Sequence, residues 1–121
     1  MHSDKDKNME RRNESFVFSD SLEMVDLGGG VKRKILAYGD ELMQVEVHFE
    51  KGAVGAMHSH PHTQLTYVLS GKFEFTIDGV TRTVKAGDTL FKLPGVVHGC
   101  VCTEAGVLLD TFTPAREDFL K

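Results

Sequence analysis

The chain has 121 residues, and its 14 Lys and Arg stand against 18 Asp and Glu for a net charge of -4. It has room for one hydrophobic core and no extended basic surface for a nucleic-acid backbone. No apolar run approaches the roughly 20 residues that span a bilayer, and the opening residues lack the apolar centre of a secretion signal. The expectation is one soluble, cytoplasmic domain without nucleic-acid or membrane partners. Cys100 and Cys102 are two apart, poorly placed to bridge each other, which fits a reducing compartment.

In chain order, residues 1–13 are almost all polar or charged and read as a flexible tail, leaving residues 14–121 as the folded domain. Ser15–Phe18 is a possible first strand, and Asp26–Gly30 a turn before Val31–Tyr38. Met43–Phe49 alternates strictly, with Met43, Val45, Val47 and Phe49 on one face. Further strands are expected at Gln64–Leu69, Phe73–Ile77, Val80–Val84, Thr89–Leu93, Gly99–Thr103 and Val107–Thr113. Asp78-Gly79 between two alternating runs is a strong hairpin signal, because both turn positions favour positive φ. Helical periodicity is confined to the C-terminus, where Pro114 could start a short helix. Many short strands at spacings near ten residues imply an all-β sandwich or barrel.

The chemistry concentrates in Gly52-Ala-Val-Gly-Ala-Met-His58-Ser-His60-Pro-His62-Thr-Gln64. Two histidines two residues apart leave the same face of an extended strand and can close on one ion. His98, in a short apolar segment between turn-forming residues, offers a third imidazole. With Gln64 these side chains would make a metal centre.

The spacing Gly52, His58, His60, Gln64, Gly71 resembles the first motif of the cupins, with Gln64 where glutamate is usual. Gly87, Gly95 and His98 resemble the second motif, although Leu93 holds the usual proline position and Cys102 the usual asparagine. The resemblance spans roughly residues 31–120. It implies a cupin double-stranded β-helix, or jelly-roll barrel, with one divalent transition metal ion (nickel, zinc, iron or manganese) held by His58, His60, Gln64 and His98. A glutamine ligand adds no negative charge, so the ion would keep its full charge toward an anionic substrate.

Asp110 and Phe112 share one face of the last expected strand, and Arg116 follows Pro114. An inward carboxylate needs a partner, while a guanidinium at the barrel mouth can hold another carboxylate with its fork. This Asp-x-Phe-x-Pro-x-Arg arrangement is similar to that of KdgF-like cupins, pectin and alginate degradation proteins that linearise 4,5-unsaturated monouronates. The resemblance implies Asp110 as acid/base, Arg116 as substrate-carboxylate clamp and Phe112 as a positioning residue. A cupin dioxygenase on a small organic substrate and a non-catalytic small-molecule binding module are the alternatives. His62 reads as a mouth or loop residue, His48 as a pocket-lining or solvated one, and Tyr67 as packing on the outer face. Lys32-Arg33-Lys34 reads as a solvated strand surface. A homodimer is expected from exposed apolar strand faces and the Phe16–Phe18 segment.

Overall fold

The structure, a computed structural model, describes residues 10–121. Eight strands carry the fold: β1 (Val25–Gly28), β2 (Val31–Tyr38), β3 (Met43–Phe49), β4 (Val54–His58), β5 (Thr63–Ile77), β6 (Val80–Lys85), β7 (Thr89–Lys92) and β8 (His98–Thr113). All pairings are antiparallel. The two long strands, β5 and β8, pair with each other along nearly their whole length and serve both halves of a roll. The first part of β5 runs between β7 and the end of β8, which continues through β3 and β2 to β1. The second part of β5 pairs with β6, while the start of β8 pairs with β4.

The sequence divides β5 and β8 into two strands each; the structure joins them. Register shifts between Val68 and Lys72 let β5 bend without ending. Gly71 sits in that bend at φ 82°, and a Cβ there would meet the carbonyl oxygens of Glu104 and Ala105 at 2.5 and 2.7 Å. Only glycine allows so close an approach of the two strands. The Asp78-Gly79 turn has positive φ at both positions, 49° and 78°, as its sequence demands.

Another expectation fails. Ser15–Phe18 forms no strand: Phe16 and Phe18 stack on each other and stay 79% and 69% exposed, and the chain passes into a 3-10 turn at Ser19–Ser21. β-propensity without a neighbouring edge to pair with makes no sheet. The C-terminal helix is a single 3-10 turn, Glu117–Leu120, too short for an α-helical hydrogen-bond ladder. Before it, Arg11 bridges Gly39, and Arg12 forms an ion pair with Glu117, tying the residues after position 9 to the barrel.

Alternation in β3 and β5 does what the pattern demands. Met43, Val45, Phe49, Val68, Phe73 and Phe75 are buried, whereas Leu65, Tyr67 and Leu69 face outward. The core divides into a cluster around Phe49, Val68, Phe73 and Leu108 and a second around Met43, Val45, Phe112 and Ala115. Phe73 is fully buried and meets Phe49 edge to face at 5.3 Å. Phe73→Ala should therefore cost about 3–5 kcal/mol of unfolding free energy, read from the shift of a chemical denaturation midpoint; a loss under about 1 kcal/mol would contradict this packing.

Candidate metal centre

The antiparallel register sets His58, the last residue of β4, directly opposite His98, the first of β8. His60 follows in the loop, and Gln64 lies near the start of β5, where it pairs with Lys92 on one side and Phe112 on the other. One ligand atom from each of His58, His60 and His98 lies within 4.8 Å of the others. Gln64 Oε1 stands 2.8 Å from His60 Nε2. Two ligands bound at right angles about 2.1 Å from one ion are about 3 Å apart, so this spacing suits a shared cation.

The imidazole tautomers fit the same conclusion. His58 Nδ1 donates to the Ala56 carbonyl at 2.8 Å and His98 Nδ1 to that of Val96 at 3.1 Å. Each bond leaves the lone pair on Nε2. The buried His98 Nε2 has no hydrogen-bond partner among the described residues. An orphaned acceptor beside two further imidazoles is what a metal site looks like without its ion. Burial and then the Lys92 ammonium push His98 down to about 4, and burial also lowers His60. Both rings are therefore neutral and able to ligate at neutral pH.

A hydroxyl that the sequence reading passed over joins this centre to the candidate acid/base. Thr66, 1% exposed, donates to Asp110 Oδ1 at 2.6 Å. Its oxygen accepts from Lys92 Nζ at 2.9 Å and from Gln64 Nε2 at 3.3 Å. One donor and two acceptor positions are all that a hydroxyl has. Because Gln64 gives its NH2 to Thr66, its Oε1 must turn toward His60 and the ion's place. Lys92 is as buried as Thr66 and lies over the Phe75 ring, 4.3 Å from its centroid. Burial lowers its pKa, and the Asp110 charge opposes that shift. The signal for both was present: Thr66 and Lys92 share strand parity with Gln64 and Leu90.

A cavity of about 180 Å³ opens over these groups, lined among others by His58, Gln64, Lys92, His98, Asp110, Phe112 and Arg116. It is smaller than the roughly 300–1,000 Å³ pockets of drug-sized ligands. Phe112, 2% exposed, meets the His60 ring at 5.7 Å. Arg116 is buried over Phe112 and Phe119. Its Nε and Nη2 are engaged by the two carboxylate oxygens of Asp118 at 3.0 and 2.8 Å, which holds Asp118 below its ordinary pKa. The fork expected to be free for a ligand is thus already occupied along one edge.

The remaining candidates sort by position. His62 lies beside His60, at 5.3 Å between rings, and outside the metal cluster. His48 pairs with Glu46 at 2.6 Å on the outer face of β3, away from the centre. Cys100 and Cys102 are buried and free; burial pushes Cys100 up to about 11, so it stays a thiol at neutral pH. Arg33 departs from its expected place on a solvated surface. It lies on β2 between the inward residues Val31 and Ile35 and lines the cavity.

Two outcomes test this geometry. Thr66→Val keeps shape but frees the Gln64 amide to turn, and should weaken metal binding about 10–100-fold, measured by chelator competition, while Thr66→Ser retains it. His98 titrates near 6.5 when unfolded and about 4 when folded, so the unfolded chain binds more protons between those values. Metal-free protein should lose thermal stability as pH falls through that window; an unchanged melting temperature would contradict the buried neutral ring.

The cupin-domain family matches residues 45–112. The pectin degradation protein KdgF of Dickeya dadantii (strain 3937) is 46% identical over 107 residues, covering 87% of this chain and 97% of that protein. An RmlC-like cupin from Shewanella frigidimarina NCIMB 400 superposes with a TM-score of 0.86 at 48% identity, covering 88% of this chain and 96% of the other. KdgF from Halomonas sp. gives 0.83 at 36% identity, covering 88% and 99%. By motif, fold and relatives, this chain belongs to the cupin family and is a homologue of KdgF.

Proposed function

We propose that this cupin is a metal-dependent enzyme that opens the ring of 4,5-unsaturated monouronates or closely related small sugar acids. The observation that carries the reading is a carboxylate, Asp110, buried in a small cavity that is also lined by His58 and His98, two of three converging imidazoles. Plain ligand binding has no need of such a group, whereas proton transfer does. The relation to KdgF proteins, named for pectin degradation, supports the substrate class.

His58, His60, Gln64 and His98 would hold the ion, which when bound supplies positive charge and Lewis acidity toward substrate oxygens. The rest falls to the chain's own side chains. Phe112 walls the cavity and limits water, and Arg116 sets positive charge where the substrate carboxylate enters. Thr66 fixes the Asp110 carboxylate by its hydroxyl, leaving Oδ2 to work. In the ring opening, the hemiacetal hydroxyl gives its proton to Asp110 as the ring carbon–oxygen bond breaks and an aldehyde forms. The released enolate becomes a ketone as Asp110 returns that proton to the neighbouring carbon. Atoms balance without a co-reactant, as an isomerisation requires.

Asp110→Asn should keep the metal content of the wild type and lose about 10²–10⁴-fold in turnover, followed as decay of the conjugated double bond of unsaturated galacturonate. Wild-type turnover in that variant would exclude Asp110 as the acid/base.

A further inference from the structure

One cavity-lining cation, Arg33, has no role in the reaction just described and no part in the Thr66 network. Arg33 sits on β2 opposite Val47 of β3 and lines the cavity. Its Nε is buried and finds no hydrogen-bond partner among the described residues. A guanidinium desolvated without a partner is costly, so its place beside a ligand cavity calls for an anion. Burial lowers its pKa, the Asp118 charge opposes that shift, and the neighbouring Arg116 charge adds to it.

The charges around the cavity do not cancel. Lys92 lies in the field of Asp110, and Arg116 is held along one edge by Asp118. Arg33 feels the Asp118 charge but makes no direct ion pair with it among the described residues. Its guanidinium carbon lies 3.9 Å from the centroid of the Phe119 ring, and that of Arg116 lies 4.2 Å from the same centroid. One aromatic ring therefore gathers two guanidiniums at one wall of the cavity, and only one of them has a carboxylate partner.

We infer that Arg33 is the substrate-carboxylate contact of this site, acting beside an Arg116 that Asp118 holds in place. The free edge of Arg33 can take a carboxylate in the paired fashion that planar guanidinium favours. The 180 Å³ volume matches a small carboxylate. The inference rests on the uronate reading for the identity of the sugar, and on the local charges for the carboxylate itself.

The test is calorimetric titration of metal-loaded full-length protein with D-galacturonate, its neutral methyl ester, pyruvate and unsaturated galacturonate. Arg33→Gln should weaken the carboxylates roughly 10–100-fold while leaving the ester as it was, and Arg33→Lys should recover part of the loss. For any ligand that turns over, the defect should lie mainly in KM. If pyruvate binds through Arg33 but neither uronate does, the carboxylate site stands and the uronate reading falls. If carboxylates bind equally to wild type and a folded Arg33→Gln protein, or bind to neither, the inference is wrong.

Discussion

The site depends on one register. Antiparallel pairing of β4 with β8 sets His58 opposite His98, and the roll brings the His60 loop and the start of β5 over the same point. A slip of one residue in either strand would turn an imidazole to the opposite face. The long bent strands protect that register. β5 and β8 hold each other through both halves of the molecule, and the glycine-lined bend allows the close approach that a bulkier residue would prevent.

Around the imidazoles, buried polar groups are arranged so that each has a defined role. Thr66 spends its only proton on Asp110 and both its acceptor positions on Lys92 and Gln64. Ligand orientation and carboxylate position are therefore parts of one network, and disturbing either strains the other. The atoms left unsatisfied are informative for the same reason. His98 Nε2 and Arg33 Nε are both buried without a hydrogen-bond partner among the described residues, and both side chains line the cavity.

The fold was largely legible in the sequence because strand alternation and positive-φ turns are local signals. Met43–Phe49 and Asp78-Gly79 behave as their patterns require. What failed was local too. Phe16–Phe18 has strand composition but no edge to join, and Gly71 reads as a terminator although tertiary pairing carries β5 through it. The histidine spacing pointed to the His58, His60 and His98 cluster, which could hold a metal ion, although His60 lies in the loop just after β4. Lys92 and Arg33 were harder to see: a cation on an inward strand position looks like surface until the neighbouring strands bury it. Asp118 was hidden because its pairing with Arg116 arises from the turn after the last strand.

The central claim is that one cation sits among His58, His60, His98 and Gln64. Elemental analysis after equilibrium dialysis against divalent nickel, zinc or manganese measures it directly, with His98→Ala as the comparison. The account predicts one ion retained per wild-type chain and a sharp loss in the variant. Wild-type protein that retains no ion, or a His98→Ala protein that retains as much, would contradict it.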